Sequence, residues 1–398
     1  MDREKRRMLL FFGTVVLFNL AANFAHPITP TVIKNLQLND YMFGVALAAM
    51  TTTNFLFSPF WGKINGYISS RTSMLICCIG YGVGQILFGL AKTEGMIILA
   101  RLFAGCFTGG IFVSFLTYIV NVSPEEDRAT NLTISATIQS VASAFGYLVG
   151  GFLGVVSIGL TFAVQAATLI LAGVIFYFVC KDDAKGSLKE ISPRNLAREA
   201  NPFSAFVASR EFMTVIFAVL FAINALQNLG YTAYDQCFNY YIKDQFGFSS
   251  AYNGVIKAVV GFISLIANGT ICMWIINKTR VERSIVLVLA GCCASVTGII
   301  LFNEIAPFMV INIFFFAFSA VSIPVIQSMI ASRASGPQSN LVMGFYNATK
   351  SLGGIIGSLT AGLIYAKGPK LSFVFSLAAL GLAVMFSAGY AKFGVKRS

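Results

Sequence analysis

"SIVLVLAGCCASVTGIILFN" (Ser284–Asn303) runs for twenty residues without one charged side chain. "TSMLICCIGYGVGQILFGLA" (Thr72–Ala91) is a second stretch of the same kind. A helix rises about 1.5 Å per residue, so ~20 apolar residues cover the hydrocarbon of a bilayer. Such stretches recur along all 398 residues, of which 57% are hydrophobic and only 11% charged. That balance excludes an ordinary soluble protein. A transmembrane barrel is excluded as well, because its strands read as ~10-residue segments of alternating hydrophobicity. The expectation is an all-α membrane protein.

Twelve spans are counted, at about 8–33, 41–62, 72–91, 95–121, 130–155, 157–180, 212–242, 249–276, 284–303, 305–332, 341–366 and 371–391. Connections are short except for 181–211, which is charged and carries two prolines. This divides the chain into a six-helix half (1–180), a central loop (181–211) and a second six-helix half (212–398). "MDREKRR" leads straight into the first apolar segment with no small-residue cleavage site, so no removable signal peptide is expected.

The net charge of +12 could suggest a nucleic-acid binder, but its distribution does not. With the N-terminus placed inside, inner segments hold twenty Lys/Arg and outer segments five. The excess on one side sets both termini in the cytoplasm of a multi-pass cell-membrane protein. Arg101, Lys257 and Lys350 are the three basic residues left inside spans. The eight cysteines all fall in apolar segments without metal-ligand spacing, and they read as small buried hydrophobes.

An internal repeat links the halves. Span 5 reads "SVASAFGYLVGG" (140–151) and span 11 reads "SLGGIIGSLTAG" (351–362), with serine, glycine, leucine and a small–glycine pair in register. Duplicated halves around a midplane site are a transporter architecture. Gly146, Gly150, Gly151, Gly357 and Gly362 have a simpler use too, since small residues let helix backbones approach closely in lipid.

At this point the sequence resembles the major facilitator superfamily, and within it the 12-span drug:proton antiporter (multidrug efflux) group. "HPITPTVIKNLQLNDYMFGVALAAMTTTNFLFSPFWGK" (26–63) resembles the span 1–span 2 region of bacterial multidrug efflux proteins. "RLFAGCFTGG" (101–110) is similar to that group's span 4 motif, through Arg101, Gly105 and Gly109. "AFGYLVGG" (144–151) resembles its span 5 antiporter motif, with Tyr147 in the proline position. The family's loop between spans 2 and 3 appears as "GKINGYISSR" (62–71). Gly62 and Arg71 remain, Gly66 replaces the aspartate, and the charge lock attributed to that loop is weakened or rebuilt. The resemblance implies a major facilitator fold of two pseudo-symmetric six-helix halves. It also implies proton-coupled export by alternating access, and spans 1 and 7 lining the cavity.

A charge at the bilayer centre costs ~2.5–3.5 kcal/mol on translocon scales. Five ionisable residues lie inside spans: His26, Arg101, Asp235, Lys257 and Lys350. Asp235 sits about eight residues before the outer end of span 7 and Lys257 about eight after the outer start of span 8, so both lie roughly 12 Å deep. A pair between them either fastens span 7 to span 8 or acts as a proton-dependent switch. Arg101 lines the cavity or packs. His26 is a satisfied structural group or a titrating one. Lys350 snorkels to the interface or faces the cavity, where the repeat matches it with Gln139.

Neutral polar residues interrupt the same helices: Asn19, Asn23, Asn54, Asn224, Gln227 and Asn228, with Tyr231, Tyr234 and Phe238 beside Asp235. Each asparagine alone reads as interhelical glue. Their concentration in spans 1 and 7 favours a solute cavity with apolar walls and a few directed polar groups. Net positive charge there favours an anionic, zwitterionic or neutral amphiphile. The expected partners are that small molecule and the lipid bilayer, with no nucleic acid, no cofactor beyond the proton gradient, and a monomeric chain. An importer or facilitator of a sugar, amino acid or organic acid is the alternative. A non-transporting receptor or scaffold is more remote, since no soluble domain is attached. An enzyme is not expected: the single His has no catalytic partner set, and no phosphate-binding motif appears.

Overall fold

The computed structural model describes residues 3–183, 200–333 and 339–394. Residues 184–199 of the central loop, with four of its basic residues, lie outside the described residues, as do Lys396 and Arg397. Among the described residues the chain is helix and turn without a strand. Spans 2 to 6 are the helices Met42–Ile64, Ser70–Leu90, Glu94–Val122, Glu125–Val156 and Ile158–Val179. Spans 7, 9, 10, 11 and 12 are Val215–Asp244, Val281–Leu301, Ile305–Ala331, Ser339–Tyr365 and Leu371–Gly389. Span 8 starts as Ser250–Ala267, loosens into a π-helical turn at Asn268–Cys272 and ends as Met273–Lys278.

Ten of these helices are long and apolar enough to cross a membrane by length and composition alone. The remaining two spans, 1 and 11, have visible reasons for weaker hydropathy. The first turns of span 1 are charged (Glu4, Lys5, Arg6, Arg7), and span 11 carries Asn347, Thr349, Lys350 and Ser351. Spans 4, 6 and 7 each begin on a hydroxyl that accepts a bond from a backbone N–H three residues on: Thr93 from Met96, Ser157 from Leu160 and Thr214 from Phe217. Such caps satisfy donors that a helix start leaves open.

Span 1 is broken. Its first helix, Arg3–Ala22, ends in turns, and a second helix, Thr29–Asn35, follows. Pro27 lacks an N–H and biases His26 away from helical backbone, which is reason enough for the interruption. A freed carbonyl inside a membrane must find donors. Ala22 O finds two, Tyr81 Oη at 3.0 Å and Gln165 Nε2 at 3.3 Å.

Two compact units form by contact. The first joins Met1–Leu38, Ala49–Pro202 and Gly247–Gly261; the second joins Asn39–Ala48, Phe203–Phe246 and Phe262–Ser398. Within the first, span 3 packs on spans 4 and 6, and span 1 on spans 5 and 6. Within the second, span 9 packs on spans 10 and 12, and span 7 on spans 11 and 12. Adding six to each span number of the first set gives the second, so the repeat in sequence is a repeat in packing. Among the described residues two have positive φ, Gln37 (54°) and Gly247 (68°), and they fall at matching turns before spans 2 and 8.

Each unit has its own core. Phe11, Phe18, Phe115, Tyr118 and Phe176 anchor the first, with the Phe11 and Tyr118 rings 4.9 Å apart. Phe221 and Phe345, 4.6 Å apart, sit in the core of the second.

Glycines set the tightest crossings. A Cβ on Gly146 or Gly150 would strike the backbone carbonyls of Leu20 and Phe24 in span 1. In the second unit a Cβ on Gly353 or Gly357 would strike those of Ala225 and Leu229 in span 7.

Candidate functional site

The break in span 1 places His26 in the first unit, where its ring stacks on Tyr147 of span 5 at 5.3 Å and 15°. Lys257, from the portion of span 8 that belongs to this unit, holds its Nζ 5.8 Å from the same Tyr147 ring. The aromatic residue in the family's proline position thus contacts both side chains. Asn253 Nδ2, one turn before Lys257, donates to Pro27 O at 3.4 Å.

Arg101 of span 4 is 4% exposed. Its guanidinium lies 4.0 Å from the centre of the Phe88 ring. Nη2 donates to Thr29 Oγ1 at 3.4 Å and Nη1 to Met50 Sδ at 3.5 Å, both long contacts, while Nε finds no acceptor among the described residues. His26 lies within electrostatic reach of both Arg101 and Lys257. The first unit therefore gathers three nitrogen bases around Tyr147 and Phe88.

Of the other span 1 and span 2 candidates, Asn19 donates to Val15 O at 2.8 Å and Asn23 to Ser143 Oγ of span 5 at 3.0 Å. Asn54 donates to Thr108 Oγ1 of span 4 at 3.1 Å. Gln139 is half-buried and donates to Ser135 Oγ, one turn back, at 3.2 Å.

The second unit arranges span 7 in faces. Asn224, Asn228, Tyr231 and Asp235 fall at i, i+4, i+7 and i+11, one stripe of a helix. Asn224 Nδ2 donates to Thr349 Oγ1 at 2.9 Å and Tyr346 O at 3.0 Å of span 11, and Asn228 Nδ2 donates to Asn224 Oδ1 at 3.1 Å. Tyr231 and Asp235 are half-buried, and Gln236 Nε2 donates to Asp235 Oδ2 at 3.3 Å. Gln227 turns to span 10, donating to Ser322 Oγ at 3.0 Å.

Tyr234 and Phe238 are fully buried among Phe315, Phe316 and Phe308, and the Tyr234 hydroxyl donates to Asn312 Oδ1.

Lys350 is exposed midway along span 11. The lipid-facing stripe of that helix is Ile356, Leu359 and Leu363, exposed by 50%, 38% and 50%. At ~100° per residue Lys350 lies about 150° round from the stripe's centre, on the face it shares with Asn347 and Gly354.

A model of the Major Facilitator Superfamily matches residues 10–321. The chain belongs to the Major Facilitator Superfamily. It is 19% identical over 391 residues to multidrug resistance protein 2 of Bacillus subtilis (strain 168), covering 97% of this chain and 96% of that one. It is 23% identical over 373 residues to the class C tetracycline resistance protein of Escherichia coli, covering 92% and 91%. The crystal structure of the human organic anion transporter MFSD10 (TETRAN) superposes with a TM-score of 0.70 at 16% identity, covering 97% of this chain and 100% of that one. As a superfamily member the protein is a multi-pass membrane transporter and not an enzyme.

The superfamily's span 2–span 3 loop is rebuilt here with carboxylates from elsewhere. Asp183, just after span 6, accepts from Ser70 N and Ser70 Oγ at 2.7 Å each and from Asn121 Nδ2 at 3.0 Å. Asp182 pairs with Arg71 at 2.6 Å, and the Arg71 guanidinium lies 5.3 Å from the Tyr177 ring. Of the span 4 glycines, Gly105 lies against Thr53 and Met50 O of span 2, and Gly109 against Ser58 and Asn54 O. Gly62 meets only Val113 Cγ1, where a Cβ would be 3.5 Å away, so it is not an obligatory close approach.

Sequence reasoning met Gly44 only as the early glycine of the resembling stretch 26–63, and it passed over Gly254, Tyr81 and Gln165. Gly44 and Gly254 carry the closest crossings at the starts of spans 2 and 8. A Cβ on Gly254 would lie 2.6 Å from Tyr147 O, and one on Gly44 would lie 2.9 Å from Gly362 Cα. A signal existed, because a Gly-Val pair recurs at 44–45 and 254–255. Tyr81 and Gln165 gave no signal of their own, since their partner carbonyl is freed only by the break in span 1.

Proposed function

We propose that this transporter is a proton-coupled exporter of a small amphiphilic organic solute in the cell membrane, acting as a monomer with both termini cytoplasmic and working by alternating access. The preferred solute is anionic, zwitterionic or neutral, ahead of a permanent cation. The observation that carries this reading is the gathering of Arg101, His26 and Lys257 around Tyr147 and Phe88 in the first unit. The charges of Arg101 and Lys257, in a low-dielectric setting, favour negative charge and oppose a permanent cation, and His26 adds a polar ring beside them. Relatives named for multidrug and tetracycline resistance support export. A structural neighbour named as an organic anion transporter agrees with the charge argument, at a similarity that concerns the fold alone.

Asp235 is the one acidic residue that the sequence reading places in a span away from its ends, so it is assigned the coupling proton. Its protonation neutralises a membrane-embedded carboxylate, which is otherwise costly. Lys257 is its assigned partner, freed when the proton arrives. The test is Asp235→Asn in proteoliposomes under an imposed pH gradient. Retained solute binding with lost gradient-driven transport is expected. Intact gradient-driven transport would remove Asp235 from the mechanism, and accumulation in the opposite direction would make the protein an importer.

A further inference from the structure

Orphaned polar atoms gather beside the break in span 1, inside the first unit. Gln85 of span 3 is fully buried, and neither its Nε2 nor its Oε1 has a hydrogen-bond partner among the described residues. The same holds for Gln165 Oε1 of span 6 and for Arg101 Nε of span 4. We propose that these atoms bind a short chain of ordered water, which hydrates Arg101 inside the helix bundle. A buried polar group without a partner is costly, so a glutamine unpaired at both ends would be a worse occupant of its position than an apolar side chain of the same size.

Shared neighbours hold these atoms together. Tyr81, Gln85 and Phe88 fall at i, i+4 and i+7, on one face of span 3. The Arg101 guanidinium lies 4.0 Å from the centre of the Phe88 ring and within electrostatic reach of the Tyr81 phenol. Gln85 stands between those two rings along the helix, and so alongside Arg101. It also acts on the Tyr81 phenol, whose hydroxyl donates to Ala22 O at 3.0 Å. Gln165 Nε2 donates to the same carbonyl at 3.3 Å, which brings its carboxamide to the Tyr81 hydroxyl. Spans 3 and 4 cross closely at this level, since a Cβ on Gly84 would lie 2.8 Å from Ala104 Cβ, one turn after Arg101.

The balance of donors and acceptors selects the occupant. Arg101 Nε and Gln85 Nε2 donate, while Gln85 Oε1 and Gln165 Oε1 accept. An anion would serve the donors and leave both carbonyl oxygens bare. A metal cation would serve the oxygens, leave both donors bare and face the Arg101 charge. Water does both, and a buried water typically makes ~3 hydrogen bonds to groups otherwise unsatisfied. Arg101 has the need as well. Its described contacts are the Phe88 ring, Thr29 Oγ1 and Met50 Sδ, with no carboxylate among them. An ionised side chain within a span is kept by pairing or by water.

The test is X-ray radiolytic labelling of the purified full chain, read residue by residue by mass spectrometry. Radiolysed water oxidises the side chains it touches, so a held water marks its neighbours. Tyr81 is expected to label several-fold faster than Tyr234, although both are buried. After rapid transfer into heavy-oxygen water, the oxygen added to Tyr81 should still be the light isotope, because a held water leaves slowly. In Gln85→Leu the labelling of Tyr81 should fall to that of Tyr234. The melting temperature of that variant should drop by about 2–4 °C, since the water's bonds to Arg101 and Gln165 go with it. Labelling of Tyr81 no faster than of Tyr234 in the unaltered chain would overturn the site, whether or not the variant folds. Immediate uptake of heavy oxygen at Tyr81 would show bulk solvent there and overturn a held water. A melting temperature that stays level or rises in Gln85→Leu would show that the carboxamide had no partner to lose, and would overturn the site as well.

Discussion

Tyr240 donates its phenolic hydrogen to Asp40 Oδ1 across 2.5 Å, joining residues two hundred positions apart in the chain. Phe43 stacks on Tyr240 at 4.8 Å, and Tyr365 meets the Tyr240 ring edge-on at 5.2 Å while donating to Asp244 Oδ2 at 2.7 Å. Asp40 lies just before span 2, so this cluster ties the first turns of that span into the second unit. A hydrogen bond to a charged acceptor contributes ~1.5–3 kcal/mol. Tyr240→Phe keeps the ring stack and removes only the bond. Amides of 39–48 are expected to exchange faster in hydrogen–deuterium exchange, with the rest of the second unit unaffected. Unchanged exchange there would mean that the stack alone holds the segment.

The glycine crossings make a paired prediction. A Cβ on Gly151 would lie 2.5 Å from Ser250 O, and one on Gly362 would lie 2.5 Å from Tyr41 O. Backbone cannot step aside as a side chain can, so Gly151→Val and Gly362→Val should each cost about 1–3 kcal/mol of packing. The loss should appear as faster exchange at 247–261 for the first variant and at 39–48 for the second. Gly381 has nothing within 4 Å, and Gly381→Ala in mid-helix should leave the melting temperature level or raise it.

Two adjacent carboxylates should behave differently on removal. Asp183 takes three hydrogen bonds, one from the backbone N–H at the start of span 3. Asp183→Ala should cost ~0.5–2 kcal/mol, as loss of a helix cap does. The Asp182–Arg71 pair is 55% and 30% exposed at its two ends, so Asp182→Ala should cost ~0–1 kcal/mol. Chemical denaturation of the two variants side by side decides. A larger loss at Asp182 would show that the ion pair, and not the cap, holds the rebuilt loop.

The assigned pair of Asp235 and Lys257 calls for a double-mutant cycle. Asp235→Asn and Lys257→Gln should each destabilise, and the double variant should recover part of the loss, with a coupling of ~0.5–3 kcal/mol in thermal stability. Strict additivity would show that the two side chains do not interact.

Much of the fold was legible because hydropathy and repeats are local signals. Uncharged twenty-residue runs mark helices, and "SVASAFGYLVGG" against "SLGGIIGSLTAG" marks the duplication that reappears as matched helix pairings. Contacts between distant positions were less legible. Nothing near Gly66 announces that the missing loop carboxylate is supplied by Asp182 and Asp183, over one hundred residues later. Tyr147 reads as a lost proline until His26 and Lys257 are found on its ring. Arg101 was legible as a costly intramembrane charge, but its seat on Phe88 was not, because an aromatic ring in an apolar helix has no distinguishing pattern.

The division of the chain into units also bears on the order of synthesis. The first unit includes Gly247–Gly261, which is translated after span 7. When span 6 leaves the ribosome, the backbone at Gly151 still lacks the crossing that Ser250 and Gly254 complete. The N-terminal spans therefore wait in the bilayer with one helix face uncovered until the first turns of span 8 have been inserted. Domains that finish early fold as they emerge. This one is completed only by sequence from the other half, so a ribosome stalled between spans 7 and 8 would leave it open at Gly151.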